Sequence, residues 1–359
     1  MLSVSAFDLV VLLVFIGLCR RYRPAGLRRV ASGLWPLALF AALAVAHSAA
    51  FLALGADLQL PGLARETVKY VGFAATVAML VMIFRTAPMD APPPRETLAA
   101  AALVIGLGAV VFTRFPIAII GGSHATVIGA MLTVIAMLLV GTTDESDRPR
   151  DTVLTAIALA AALTGVWVLW SKLFILCVAA CALVFGGRRI GVRVARPWLA
   201  VALGAAALAL LMAWLYTQQA WRFDISASVR IELWSAAVDL AARSFPWGIG
   251  LGQFGSWLAS IHYQAGEVEP IRFVHNQFLA FLTEAGVVGI GLGLIVVKIV
   301  IDGASVWRDS MAAVFIGVFL SALALHDAIG LRALQLLLGY SLAVALRPGI
   351  GGRQRRRVP

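Results

Sequence analysis

The chain has 359 residues, 61% of them hydrophobic and only 13% charged, with a mean hydropathy of +0.93. Soluble domains run near half apolar and a quarter charged, so this balance excludes a water-soluble globule and makes a bilayer the solvent. The formal net charge of +11 would suggest nucleic acid in a soluble protein; here nucleic-acid binding is not expected, because basic loops fix topology and meet anionic lipid heads.

Apolar runs predict membrane helices near residues 3–19, 33–55, 67–84, 97–113, 123–141, 152–169, 173–186, 198–216, 278–297, 311–328 and 333–346. Each run is continuously apolar, which argues for helices and against the alternating pattern of a β-barrel. The first run has no basic residue before it and no small-residue cleavage site, so it reads as a retained helix and not a signal peptide. The expected fold class is all-α: a polytopic integral membrane helix bundle of about eleven or twelve spans.

Basic residues orient the bundle. Placing the tail GGRQRRRVP in the cytoplasm puts 20 of the 29 Lys and Arg inside, as the positive-inside rule requires. The nine left outside are Arg65, Lys69, Arg114, Lys172, Arg222, Arg230, Arg243, Arg272 and Arg332. Each resists the topological bias and so needs another reason to be there. The domain reading follows: an N-terminal transmembrane bundle over 1–216, an outer helical loop domain over 217–275, C-terminal transmembrane helices over 276–347, and a basic cytoplasmic tail over 348–359.

Metal and disulfide chemistry find no support. Cys177 and Cys181 sit four apart in one apolar run and Cys19 lies elsewhere, with no Cys-x-x-Cys and no His-Glu-x-x-His. The acidic run Asp144-Glu145-Ser146-Asp147 falls on the cytoplasmic side beside Arg148 and Arg150 and reads as a solvated loop. No metal and no cofactor is expected.

The outer segment carries the informative motifs. Residues 226–244 have a helical period, with Ile231, Trp234, Val238 and Ala241 on one stripe, Ser226 or Asp224 available as a cap and Pro246 as the stop. Arg230 is expected in the first turn, where the helix dipole prefers anions. Two readings stay open there: an external anion held between Arg230 and the helix end, or an arginine paired with Glu232, Asp224 or lipid phosphate. Gly250-Leu251-Gly252-Gln253-Phe254-Gly255 spells G-x-G-x-x-G but lacks the strand–helix setting of a nucleotide site. It reads as a turn between two surface helices.

The next stretch, FVHNQFLAFLTEAGVVGIGLGL, covers residues 273–294. On a continuous helix, His275, Leu279, Leu282, Gly286, Gly289 and Gly293 share one stripe, with the glycines admitting a neighbouring helix. His275 is thereby placed at the outer mouth on a packed face, where a histidine is a functional candidate. Glu284 points the other way and is given a structural role, with Arg272 or Asn276 as partners.

These residues resemble a known family. HNQFLAFLTEAGVVGIGLGL is similar to the H-N-x-x-L-x-x-L-x-E-x-G-x-x-G signature of the O-antigen ligase and polysaccharide polymerase superfamily. Arg230 to Trp234, then Pro246 and Gly248 to Phe254, resemble its outer-loop block. The likeness is strong over 226–294 and elsewhere rests on hydropathy and topology. It implies a GT-C-like membrane glycosyltransferase of the bacterial inner membrane, with its site facing the periplasm. Such enzymes move a glycan from undecaprenyl pyrophosphate to an acceptor sugar, either another lipid-linked glycan or lipid A core, without nucleotide sugar or metal.

By position, the resemblance makes Arg230 the pyrophosphate holder and His275 the general base. Lys172, Arg222, Arg272, Asn276 and Trp234 become candidates to bind pyrophosphate or glycan, and Glu284, Gly286 and Gly289 the structural motif. Two departures stand out. Ser171-Lys172 replaces the family's Ser-Arg pair, keeping charge but losing the two-pronged grip on phosphate, and eleven spans replace the usual twelve. Membrane lipids and other polysaccharide-export components are the expected partners. A non-enzymatic lipid-linked glycan transporter is the rival reading; it predicts internal repeats and midspan ionisable groups. No repeat is evident, and the polar midspan groups are His47, His124 and the His326-Asp327 pair.

Overall fold

The computed structural model describes residues 33–54, 60–86, 95–114, 122–142, 148–169, 172–189, 225–260, 274–307, 309–325, 329 and 331–346. The predicted helices at 3–19 and 198–216 lie outside those residues. So do Arg222, Asp224, Arg272, His326, Asp327 and the acidic run at 144–147. Eleven α-helices make up the described part. In chain order these are α1 Trp35–Ala53, α2 Leu60–Thr86, α3 Arg95–Arg114, α4 Gly122–Gly141, α5 Pro149–Val168 and α6 Lys172–Arg189, followed by α7 Ile225–Ser244, α8 Phe254–Ser260, α9 Gln277–Ala304, α10 Asp309–Leu325 and α11 Arg332–Ala345. Every expected segment within the described residues coincides with a helix.

Among the described residues, four helices are long and apolar enough to cross a membrane: α1, α2, α5 and α9. Shorter apolar helical stretches are Thr126–Gly141, Ser310–Leu325 and Arg332–Ala345. Their surfaces carry large apolar side chains in the open, such as Val153 of α5 and Leu294 of α9, which are 57% and 65% exposed. Such exposure is costly in water and costless in lipid.

The chain divides into two compact units. One comprises α3 to α6, most of α10, and α11. Its packing is backbone to backbone: a Cβ added at Gly106 of α3 would stand 2.5 Å from the Ala161 carbonyl oxygen of α5. Small residues are what let helices approach this closely where no hydrophobic effect drives them together. Leu98, Ala99, Ala102, Leu139 and Ala158 fill the core of this contact. Two arginines close the C-terminal end of α4, Arg188 donating to the Val140 carbonyl at 3.0 Å and Arg95 to the Thr142 carbonyl. Cations belong at that end of a helix, where carbonyls lack partners. Trp307 stacks on Phe315 and donates its indole N–H to Ser341 at 3.0 Å.

The other unit comprises α1, α2, α7, α8 and α9 as far as Asp302. Its interior is built on Phe40, Tyr70 and Phe281, whose rings meet edge to face at 5.5 to 6.1 Å. Each side chain is at most 1% exposed, and such pairs add about 0.5–1.5 kcal/mol beyond their burial. The Ser48 and Thr67 hydroxyls, 2.7 Å apart, join α1 to α2.

Candidate functional site

The site grows from a break in α9. At Gly286 the backbone leaves the helix, with φ 55° and ψ −127°. Residues 277–285 therefore form one short helix, about 13 Å long at 1.5 Å per residue, and 287–304 a second, about 27 Å long. Only the second is long enough to span hydrocarbon by itself. The first folds back along it: a Cβ on Gly289 would stand 1.8 Å from the Phe281 carbonyl oxygen, whereas eight residues of straight helix cover about 12 Å. The continuous helical stripe expected from the sequence is thus corrected. The glycines at 289 and 293 do admit a close neighbour, and that neighbour is the preceding half of the same element.

A broken helix leaves carbonyls and amides without partners, which costs several kcal/mol each away from water. The segment Pro246–Gly252 supplies them. Ile249 N–H donates to the Thr283 carbonyl at 3.1 Å, Gly250 N–H to the Glu284 carbonyl at 2.9 Å, and the Pro246 carbonyl accepts from Val287 N–H at 2.8 Å. No side chain fits in this contact: a Cβ on Gly286 would lie 2.0 Å from the Pro246 oxygen, and one on Gly248 2.5 Å from the Glu284 carbonyl carbon. The G-x-G-x-x-G stretch is therefore no surface turn. Gly250 through Phe254 are buried, a strap laid into the break.

Glu284 locks the strap. Its carboxylate, with the residue only 6% exposed, accepts from Gly252 N–H at 3.0 Å and from Phe254 N–H at 3.3 Å. Among the described residues its hydrogen-bond partners are these two backbone amides and not the expected Asn276; Arg272, the other expected partner, lies outside those residues. On the strap's other side, His47 of α1 lies with Nε2 3.2 Å from the Trp247 carbonyl. From α2, Gly62 meets Gly252 so closely that a Cβ on either would collide with the other's carbonyl.

Beside Gly252, Glu66 of α2 is buried and holds Lys69 at 2.7 Å and Arg65 at 3.4 Å. These two outside cations had no assigned reason in the sequence; a buried carboxylate beside the strap is one. The Glu66-x-x-Lys69 spacing, which puts opposite charges on one helical face, was the available signal.

The histidine precedes the first half of α9 and does not lie on its helical face. His275 has φ 53°, a left-handed conformation that costs a non-glycine residue on the order of 1 kcal/mol or more. Neighbours hold it from both sides. Asn276 caps the helix, its side-chain oxygen accepting from Leu279 N–H at 3.0 Å. Val274 is buried in a cluster with Leu233, Ala237, Leu240, Phe254 and Leu258, and its carbonyl accepts the Trp234 indole N–H at 3.0 Å. Thr283 adds a bond to the Ala237 carbonyl at 3.0 Å.

Arg230, half-buried, lies one helical turn before Trp234 on α7, about 6 Å along the axis. The helix carrying the arginine is therefore bonded to the peptide that leads into the histidine. Since α7 starts at Ile225, Arg230 occupies its second turn and not the first, beyond the strongest reach of the dipole. Lys172 opens α6 in the other unit.

A family model described as O-antigen ligase matches residues 152–294, a stretch that runs from α5 through α7 and the strap into α9. This match supports the O-antigen ligase and polymerase superfamily for the chain. No curated protein matches it. The family's matched region includes Arg230, the strap, His275, Glu284 and Gly286, so the broken helix and the motif that gives the resemblance are the same piece of structure.

Proposed function

We propose that this O-antigen ligase-type protein is a multi-pass inner-membrane glycosyltransferase. It transfers a glycan from undecaprenyl pyrophosphate to an acceptor sugar on the periplasmic face, as polysaccharide polymerase or O-antigen ligase. The observation that carries the reading is the bond from Trp234 to the Val274 carbonyl, which ties the Arg230 helix to the His275 segment within one packed cluster.

In this proposal Arg230 faces the pyrophosphate, whose charge grows as the glycosidic bond breaks. A preorganised cation in a dry site stabilises such charge by several kcal/mol. His275 takes the proton of the acceptor hydroxyl. An imidazole, with an ordinary pKa of about 6.5, suits that task near neutral pH and contributes about 10²–10⁴ in rate. A single displacement inverts the anomeric centre. Arg222 and Arg272 add charge toward the diphosphate, and Asn276 and Trp234 line the approach of the sugar. Neither a metal nor a cofactor takes part.

The test is release of undecaprenyl pyrophosphate by purified protein in vesicles, supplied with lipid-linked glycan and one acceptor class at a time. Carrier release coupled to a product of inverted configuration is expected with a lipid-linked glycan or lipid A core. Translocation of the donor with no transfer to any acceptor would replace this reading by a transporter.

A further inference from the structure

The strap presents two large aromatic rings to its surroundings while its backbone is held in the protein. Phe245 is 58% exposed and Trp247 68%, although the carbonyls of Pro246 and Trp247 are bonded to Val287 N–H of α9 and to His47 of α1. His47 itself is buried, six residues before the end of α1 at Ala53, which is about 9 Å along the axis. The rings are thus fixed at the level of helices long and apolar enough to cross a membrane, one to two turns in from an end. Around them the open surface is apolar: Val287 and Ile290 on α9 and Val45 on α1 are each close to half exposed.

We infer that the Phe245–Trp247 edge is seated in the membrane–water interface, with both rings among lipid. Three physical points carry it. An open aromatic pair continuous with apolar helix faces marks an interaction surface. Tryptophan, with an apolar ring and one N–H, favours the depth of the lipid headgroups. The Pro246 and Trp247 carbonyls and the Trp247 N–H on this edge already have partners in Val287, His47 and Ser244, which lowers the cost of entering a low-dielectric layer. The consequence is that lipid, through the strap, fixes the depth of the Gly286 break and of the helix that follows His275. This inference rests on the membrane reading of the chain.

Spin-label accessibility tests both parts separately. In a chain with Cys19→Ala, Cys177→Ala and Cys181→Ala, a nitroxide is attached through Phe245→Cys, Trp247→Cys, Val45→Cys or Ile290→Cys, one at a time. Each protein is reconstituted in phosphatidylethanolamine and phosphatidylglycerol vesicles. Collisions with oxygen, which concentrates in lipid, are compared with those of a water-soluble nickel chelate. All four sites are expected to favour oxygen, with 245 and 247 shallower than 290. Chelate-favoured labels at both 245 and 247, with oxygen-favoured labels at 45 and 290, would overturn the inference and leave the membrane reading standing. Labels at 245 and 247 closed to both reagents would also overturn it, because a second copy or another protein would then cover the edge. Chelate-favoured labels at all four sites would sink the membrane reading itself.

Discussion

The two halves of α9 on either side of Gly286 obey different rules. In residues 277–285, Gln277 donates to the Tyr70 hydroxyl at 3.2 Å, Thr283 to the Ala237 carbonyl, and Glu284 accepts two strap amides. In residues 287–297 there is no polar side chain, and Val287, Ile290 and Leu294 stand open. The first half is held by named hydrogen bonds to distant segments, the second by close glycine contacts, with its apolar face left open. Local directional bonding is what a protein uses to fix catalytic groups; apolar sliding surfaces are what it uses to sit in a bilayer. The difference teaches that one continuous stretch of sequence serves two solvents, with the change at a single glycine.

Substitutions sharpen this contrast. The largest effect is expected at the junction: Gly286→Ala places a methyl against the Pro246 carbonyl at a positive φ and should cost more than about 4 kcal/mol, read as a collapse of the thermal transition in detergent. By contrast, Gly291→Ala in the second half meets nothing within 4 Å and should leave the transition unchanged or raise it by up to about 1 kcal/mol. Equal loss at both positions would erase the contrast.

Next is Glu284→Ala, which orphans two buried amides and should destabilise by on the order of 3 kcal/mol. Glu284→Gln keeps one acceptor oxygen and should cost less, so the same melting experiment ranks the three proteins. Asn276→Ala removes the cap beside His275 and should cost about 1 kcal/mol, with a fall in transfer rate larger than that loss alone explains. Smallest of all, Leu294→Ala, at an open position, should shift stability by no more than about 0.5 kcal/mol.

Much of this was legible beforehand. Uninterrupted apolar runs located the helices, because a continuously apolar segment in lipid satisfies its backbone as a helix, and the His275-Asn276 and Arg230-to-Trp234 motifs pointed to the two segments that the Trp234–Val274 bond joins. The break at Gly286 was not legible. Helical periodicity is a local pattern and assumes continuity, whereas this break is stable only because Ile249 and Gly250, some thirty residues earlier, supply the missing donors. The same holds for Glu284. Side-chain spacing suggested Arg272 or Asn276 as partners, yet the carboxylate found backbone amides, which leave no trace in residue identity. Arg65 and Lys69 stood out as charges on the wrong side of the membrane, but Glu66, which accounts for them, sat unremarked between them.

In the proposed reaction Arg230 and His275, held by the α7 cluster and the broken helix, act on one donor. The most direct measurement is the rate of glycan transfer in vesicles by Arg230→Ala, His275→Ala and the unaltered protein, each shown by its thermal transition to be folded. The account predicts that transfer falls by at least about 10² for His275→Ala and by a comparable factor for Arg230→Ala. Folded variants that both transfer glycan at the unaltered rate would contradict it.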